Sequence, residues 1–443
     1  MNNQRSLIID AFAGFGGASE GIEEAFDRPV DIAVNHDPFA ILLHKTNHPE
    51  TLHITEDIFK VDMLKYTKGQ RVAFMWASPD CTSHSKAKGG QPREKGLRIL
   101  PWAVFQHAKK VLPDVIIMEN VEEIQDWGPL DDNGHPIKSR KGEEFNRFIK
   151  MMESLGYDFE GKELVAADYG APTTRKRWYG IFRRDGKPIS WPEPTHNKCG
   201  TNGLKKWEAI SQHIDWTDLG GSIFTRKIPL KEKTLNRIAR GIDKFIINDS
   251  NPFILPDEIA SSFLIQYHSE TKNDYVRGQS VNEPIKTIDT SNRYGLVTAF
   301  LAKFYRTTTG QSVNGPIHTI TTSPSHFALV SAFLVKYYGQ GIGQYVDRPI
   351  DTIPTKDRFG LVTVMIEGEQ YRIVDIWFRM LKPEELKLGQ GFHKNYIIDH
   401  DYTGKAYPKS KQVERIGNSV VPVMAKVLTQ ANMPETGAAE QAS

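Results

Sequence analysis

Cysteine is nearly absent from this chain: Cys81 and Cys199 are the only two in 443 residues. They could form at most one disulfide, and no Cys-x-x-Cys pair exists to hold a structural zinc. A disulfide scaffold is excluded, and a reducing, cytoplasmic setting is expected. Charge of one sign is lacking too, because 56 Lys and Arg face 54 Asp and Glu for a net +2. No global field draws the molecule to nucleic acid or membrane, so any basic footprint must be local. No apolar run approaches the ~20 residues of a membrane span, and the opening MNNQRSLIIDAF lacks the shape of an export signal. What remains is an ordinary globular composition, 39% hydrophobic and 25% charged, long enough for two or three domains.

From Leu7 to about Ile181 short apolar runs (LIIDAF, VDIAV, VAFMWAS, VIIMEN, WYGIF) alternate with amphipathic stretches such as ASEGIEEAF and FNRFIKMMESL. That rhythm predicts a parallel α/β sheet. It stops in PISWPEPTHNKCGTNG, which places a domain boundary near residue 190. In the region that follows, Thr234 to Ile246 reads as a helix with Lys233, Arg237, Arg240 and Lys244 along one face, either a solvated stripe or a phosphate-facing one. Three heptapeptides, PIKTIDT from Pro284, PIHTITT from Pro316 and PIDTIPT from Pro349, recur at 32 to 33 residues. They mark repeats near 263–297, 300–330 and 333–362, each one supersecondary unit. The repeat is either an architectural array or a surface for a long ligand. Residues 431–443 lack apolar periodicity and are expected to be a disordered tail.

Four clusters carry chemistry. The glycine turn Asp10-Ala-Phe-Ala-Gly14-Phe-Gly16-Gly17 follows a strand and precedes a helix, where backbone N–H groups can approach a ligand. A dinucleotide fingerprint would need a third glycine at 19, which is Ser19, and the next strand ends in Asn35 rather than an acid. A nucleoside without a diphosphate fits better. Ser78-Pro-Asp80-Cys81 follows VAFMWA, and Glu119-Asn120-Val121 ends VIIMEN. Both would sit at the carboxyl edge of a parallel sheet, a thiol and a carboxyl facing one crevice. An inert buried thiol is the alternative, against which stand the polar surroundings and the cations Lys86 and Lys88. Arg175 and Arg177, two apart in an extended stretch, offer bidentate donors on one side. Gln412 to Ser419 reads as a Gly-Asn-Ser turn opening a helix.

In order, DAFAGFGG, SPDC, ENV, DYGAPTTRKR, RMLKPEELKLGQGF and QVERIGNSVV resemble the cytosine-5 DNA methyltransferases, over Leu7 to Leu428. The resemblance implies a Rossmann-like, S-adenosylmethionine-dependent methyltransferase sheet, residues 1–190 continued by 376–430. It also implies an inserted target-recognition domain, 191–375, that contains the threefold repeat and the basic helix. It implies S-adenosyl-L-methionine as cofactor and double-stranded DNA as partner, with Cys81 as nucleophile on a flipped-out cytosine, Glu119 on its N3 and N4, Arg177 on O2 and Arg175 in support. Phe12, Gly14, Gly16, Gly17, Asn35, His36, Asp57, Ile58, Ser78, Asn418 and Ser419 would line the cofactor pocket. Lys86, Lys88, Lys233, Arg237, Arg240 and Lys244 would face DNA. A monomer with a cognate restriction nuclease is the expected setting, and no metal is expected.

The chain departs from the family pattern at three points. Asp80 stands where Pro-Cys is usual and would raise the thiol's pKa unless Lys86 or Lys88 offsets it. Asn35 and His36 replace an acid and a tryptophan, and Thr173 replaces the glutamine before the arginines. Two other readings share most of these features: an RNA cytosine-5 methyltransferase and a catalytically silent DNA-binding relative. A metal hydrolase on His44, His48 and His53 is poorer, since HKTNH lacks the glutamate of a metallohydrolase helix.

Overall fold

The computed structural model describes residues 5–80, 98–249, 252–255, 260–267, 278–303, 333–336, 344–345, 359–360, 363–366 and 369–434. Cys81, Lys86 and Lys88 and the second and third heptapeptides lie outside the described residues. The chain divides into two units, Met1–Ile210 with Pro284–Ser291 and Pro383–Ser443, and Ser211–Glu283 with Asn292–Lys382.

The first unit is built on β1 (Leu7–Ala11), β2 (Ile32–Asn35), β3 (Leu52–Thr55), β4 (Val72–Ala77), β5 (Val115–Asn120), β6 (Asp158–Val165) and β7 (Lys176–Arg183). Their order is β3-β2-β1-β4-β5-β7-β6. The pairings β3·β2, β2·β1, β1·β4 and β4·β5 are parallel. The expected parallel alternation therefore needs one correction. WYGIF lies in β7, which runs antiparallel to both β5 and β6 and is wedged between them. A strand that returns through the short turn after β6 has no crossover helix to reverse it, so it pairs antiparallel.

β4 and β5 are apolar on both faces because helices cover both. On one face α1 (Gly17–Phe26) and α9 (Pro422–Asn432) pack Ala18, Ile22, Met424 and Leu428 over Ile8, Phe74 and Ile117. On the other, α4 (Leu100–Val111) and α5 (Glu143–Glu153) set Ala103, Val104 and Phe148 against Ile9, Met75 and Ile116. Two further helices follow β2 and β3: α2 (Pro38–Asn47), capped by Asp37 accepting from the Phe39 N–H, and α3 (Met63–Thr67). The segments α7 (Pro383–Gly389) and α8 (Lys409–Asn418) complete the unit. α9 continues to Asn432, beyond the expected tail boundary. Asn432 is fully buried and clamps Ser190 through two hydrogen bonds of 2.9 and 3.1 Å.

In the second unit an antiparallel sheet joins a short Gly221–Ser222 strand, β15 (Glu369–Met380), β10 (Tyr294–Lys303), β8 (Ala260–Gln266) and β9 (Gly278–Ser280) in that order. β14 (Thr363–Ile366) also pairs with β15. The basic segment forms α6 (Glu232–Ile242), continued by one π-helical turn to Ile247. Ile238, Ile242 and Ile246 pack with Phe263, Val297 and Phe378. Gly241 is required there because a Cβ would overlap the Phe263 ring. A separate three-stranded sheet holds β11 (Phe333–Lys336) between β12 (Gln344–Tyr345) and β13 (Phe359–Gly360).

Candidate active site at the carboxyl edge of the parallel sheet

Because β1 to β5 are parallel, the residues after each strand emerge on one edge, where open α/β sheets bind ligands. That edge gathers Phe12 and the glycine turn, Asn35 and His36, Asp57 and Ile58, Ser78 to Asp80, and Glu119 with Asn120. Glu119 is the penultimate residue of β5 and is only 8% exposed. Arg177, on the neighbouring β7, brings Nε to 3.2 Å from Glu119 Oε1, while its Nη1 donates to the Lys176 carbonyl. Asn120 joins the two chemical segments: Nδ2 donates 3.0 Å to the Pro79 carbonyl and Oδ1 accepts from the Val121 N–H. The loop that leads into Cys81 is thereby tied to the strand end that carries the carboxylate. In the sequence Asn120 is visible only as the middle residue of ENV, an amide directly after a carboxyl at a strand end.

Arg175 and Arg177 are used differently. Arg175 is buried, and its Nη1 donates 2.9 Å to the Gly417 carbonyl and 3.4 Å to the Ile288 carbonyl. Thr173, fully buried where the family has glutamine, accepts from the Arg175 N–H at 3.2 Å. The Gly-Asn-Ser segment needs a correction. It ends α8 and does not open a helix, because Pro422 at the first position of α9 sets the later start. Ser419 is buried and donates to the Val420 carbonyl, its own carbonyl accepts from Gln390 at 3.0 Å, and Asn418 is exposed.

The glycines divide as well. Gly14, at φ +56°, has open space where a Cβ would stand, so it leaves room for a ligand. A Cβ on Gly16 would overlap Tyr396 and His48, and one on Gly17 would overlap Ser419 and Val420. These two permit close packing. Phe12 also adopts a left-handed φ of 69°, and its carbonyl accepts from the Ser78 hydroxyl at 3.4 Å. Asn35 Oδ1 accepts from the Asp37 N–H at 2.8 Å, and Asp57 Oδ1 from the Phe59 N–H at 3.1 Å. Ile58 is buried with its carbonyl on His107 Nε2, and His36 is exposed.

Beneath the glycine turn lies a buried polar chain. Ser19 donates to Asp10 at 2.8 Å and meets His44 at 3.0 Å, and His44 meets His53 at 2.9 Å. Burial pushes the Asp10 carboxyl up to about 7, holds His44 well below its ordinary value, and lowers His53 to about 4. Serine 19, which broke the dinucleotide fingerprint, supplies the hydroxyl that this carboxyl needs. Beside it Glu23 meets His48 at 2.8 Å, and Tyr396 donates to the Phe15 carbonyl. The histidines considered as metal ligands are thus spent on one another and on hydroxyls and carboxylates. Among the described residues no group of three or more His, Cys, Asp or Glu could hold a metal.

Of the predicted DNA-facing residues, Lys233 and Lys244 are exposed, whereas Arg237 is half-buried with its guanidinium 5.2 Å from the Tyr267 ring centre, and Arg240 is half-buried. Cys199 is exposed. No helix among the described residues is long and apolar enough to cross a membrane.

The family model of the C-5 cytosine-specific DNA methylases matches residues 7–432, so the chain belongs to that family. The family's enzymes are S-adenosylmethionine-dependent DNA cytosine-5 methyltransferases, a class that agrees with a parallel sheet carrying its polar residues at one edge. Among curated relatives, the chain is 26% identical over 282 residues to the Type II methyltransferase M1.HphI of Haemophilus parahaemolyticus, a match spanning 61% of this chain and 70% of that protein. It is 29% identical over 204 residues to M.AgeI of Thalassovita gelatinovora, spanning 44% of each. The match to M.AgeI thus spans less than half of that relative's length. Among solved structures, an Entamoeba histolytica methyltransferase, EhMeth, superposes with a TM-score of 0.48 at 14% identity, over 98% of this chain and 99% of that one.

Proposed function

We propose that the protein transfers the methyl group of S-adenosylmethionine to carbon 5 of a cytosine within a specific double-stranded DNA sequence, acting as a monomer on a base flipped out of the helix. The observation that carries this reading is the buried Glu119, paired with Arg177 and tied through Asn120 to the segment leading into Cys81. Gly14's open flank and the strand ends at Asn35, His36, Asp57 and Ile58 fit a nucleoside cofactor without a diphosphate. When bound there, with Phe12, Ser78, Asn418 and Ser419 bordering it, the cofactor supplies an electrophilic methyl group.

The Cys81 thiolate adds to carbon 6 of the flipped cytosine, forming a C–S bond. Glu119, as the acid, hydrogen-bonds N3 and N4 and offsets the charge that develops on the ring. Arg177, beside it, contacts O2 and keeps Glu119 oriented. Arg175 acts one step back, holding the strand through the Gly417 and Ile288 carbonyls. Once carbon 5 carries the methyl group, loss of its proton and expulsion of the Cys81 thiolate restore the aromatic ring. Lys86 and Lys88 would offset the Asp80 charge beside the thiol and, with Lys233, Arg237, Arg240 and Lys244, contact phosphate. The relatives named Type II methyltransferases support a role beside a restriction nuclease.

Incubation with S-adenosylmethionine and mixed-sequence DNA, read by bisulfite sequencing, should give 5-methylcytosine at one or more defined sequences. Methylation of RNA alone, or DNA binding without methyl transfer, would replace this reading with one of its two rivals.

A further inference from the structure

The buried polar chain beneath the glycine turn takes no part in the chemistry proposed above. It runs from Asp10 of β1 through Ser19 of α1 and His44 of α2 to His53 of β3, in links of 2.8, 3.0 and 2.9 Å. Asp10, Ser19 and His44 have no exposed surface, whereas His53 is half-buried. The chain thus leads from the solvent side to a carboxyl that solvent does not touch.

Counting protons along it leaves two arrangements. Each hydrogen bond holds one proton, the Ser19 hydroxyl has one to give, and a neutral imidazole carries one on either nitrogen. In the first arrangement Ser19 donates to Asp10 Oδ2, His44 Nε2–H donates to Ser19, His53 Nε2–H donates to His44 Nδ1, and Asp10 is a carboxylate. In the second, a neutral Asp10 donates to Ser19, Ser19 donates to His44 Nε2, His44 Nδ1–H donates to His53 Nε2, and the His53 proton sits on Nδ1. The two differ by one proton. When it binds at His53 Nδ1, the Nε2 proton of His53 passes to His44 Nδ1, the Nε2 proton of His44 passes to Ser19, and the Ser19 proton passes to Asp10. Neither arrangement contains an imidazolium, which burial of His44 disfavours. The neighbouring chain lacks this freedom. Tyr396 ends on the Phe15 carbonyl, which only accepts, so its hydroxyl must donate there and His48 Nε2 must donate to it.

The charged groups around the chain direct where the proton rests. Glu23 of α1 disfavours a second carboxylate at Asp10, and Lys45 and His48 of α2 disfavour a positive charge on His53. Tyr396 faces Asp10, Glu20 and Glu23. The strand neighbours of Asp10, Ala33 of β2 and Trp76 of β4, carry no charge, and Asp10 Oδ1 has no hydrogen-bond partner among the described residues. Burial accordingly pushes the Asp10 carboxyl up to about 7, so the exchange falls near neutral pH.

We infer that Asp10, Ser19, His44 and His53 form a proton wire, through which a proton taken up at His53 sets the charge of Asp10. Asp10 lies four residues before Gly14 and Ser19 two after Gly17, so the switched charge flanks the glycine turn. One consequence rests on the proposed cofactor. S-adenosylmethionine is a sulfonium cation, whereas S-adenosylhomocysteine, left after methyl transfer, is a neutral thioether. The Asp10 carboxylate favours the cation, and the neutral carboxyl removes that preference. Asp10 thereby sets how strongly the pocket prefers cofactor over product.

The wire is tested without methyl transfer. In the full chain carrying ring-15N-labelled histidine, the His44 signals, assigned by their loss in His44→Gln, should report Nδ1–H at pH 6 and Nε2–H at pH 8, with no imidazolium between. Ser19→Ala removes the middle of the wire and should abolish the switch. One unchanging His44 tautomer in the wild type, an imidazolium, or a switch that survives Ser19→Ala overturns the inference. The consequence is read by calorimetric titration with the two ligands, which share their amino and carboxylate groups. The ratio of S-adenosylmethionine to S-adenosylhomocysteine affinity should rise about three- to tenfold from pH 6 to pH 8 in the wild type and stay flat in Asp10→Asn. A ratio that stays constant in the wild type, or rises equally in Asp10→Asn, overturns this role of Asp10, whereas binding of neither ligand refutes the proposed cofactor instead.

Discussion

The two units bury polar groups of different kinds. Inside the antiparallel sheet of the second unit the buried polar residues described are neutral: Ser262 shares a 2.9 Å hydrogen bond with Thr298, and Gln266 donates 2.8 Å to the Tyr294 hydroxyl. Inside the first unit they include, beside neutral groups such as Thr173 and Asn432, ionisable ones: Asp10, His44, Glu119, Arg175 and Lys387 are all buried. Burying a charge is costly unless it is paired or neutralised, and neutral hydroxyls and amides satisfy a sheet at much lower cost. The proposed chemistry falls in the unit that buries ionisable groups, as functional sites tend to, and the second unit carries none of them among its buried polar residues described.

The sharpest way to break this contrast is Glu119→Gln. The amide keeps the size and loses the acid, so turnover should fall by about 10²- to 10⁴-fold while DNA binding holds, measured by single-turnover methyl transfer. Near-normal rates would make Glu119 one more buried ion with no chemical part. Next in size is the seam between α1 and α9. A Cβ on Gly21 would overlap the Pro422 carbonyl and stand 2.8 Å from the Lys426 nitrogen, both backbone atoms that cannot swing away. Gly21→Ala should cost about 1 to 3 kcal/mol or more in urea unfolding, whereas an exposed glycine such as Gly186 with open space should respond only to its φ of +76°.

A smaller effect is a pH dependence. Asp10 is raised from 3.8 to about 7, so the stability of its neutral burial is fully present below pH 4 and is lost as pH rises through 7. His44 and His53, buried neutral with lowered values, act in the opposite sense and cost stability as pH falls below 6.5. Asp10→Asn should remove the first slope and keep the second, so thermal unfolding between pH 6 and 8 should flatten. An unchanged slope would mean that Asp10 is ionised in the fold. The smallest effect belongs to the second unit: charge reversal at Lys233 and Lys244 should weaken binding to every DNA sequence alike and flatten its salt dependence. Loss of one target sequence only would give these lysines a reading role.

Much of this was legible in the sequence where chemistry and local structure coincide. Apolar runs ending in Gly14, Asn35, Ser78 and Glu119 announce strands whose ends meet at one edge, because parallel strands put like ends together. What stayed hidden depends on long-range pairing. Nothing local in WYGIF says that β7 turns back between β5 and β6. Nothing in PIKTIDT says that it leaves its repeat to pair with Thr173, or that Arg175 is spent on the carbonyls of Ile288 and Gly417. Ser19 looked like damage to a glycine pattern because its partner Asp10 is nine residues away and buried. The first unit runs to Ile210, past the expected boundary at 190, because the chain pairs back there: Thr195 donates to the Asp168 carbonyl and Trp207 to the Asp168 side chain.

The central claim is that the carboxyl edge of the first unit does covalent chemistry through Cys81 with Glu119 beside it. DNA carrying 5-fluorocytosine at the target tests it most directly, because fluorine cannot leave as a proton and elimination of the thiolate stalls. With S-adenosylmethionine present, a stable protein–DNA adduct should form and map by peptide mass spectrometry to Cys81, with none at the exposed Cys199. Methylation of ordinary cytosine without any adduct, or an adduct mapped to Cys199, would contradict it.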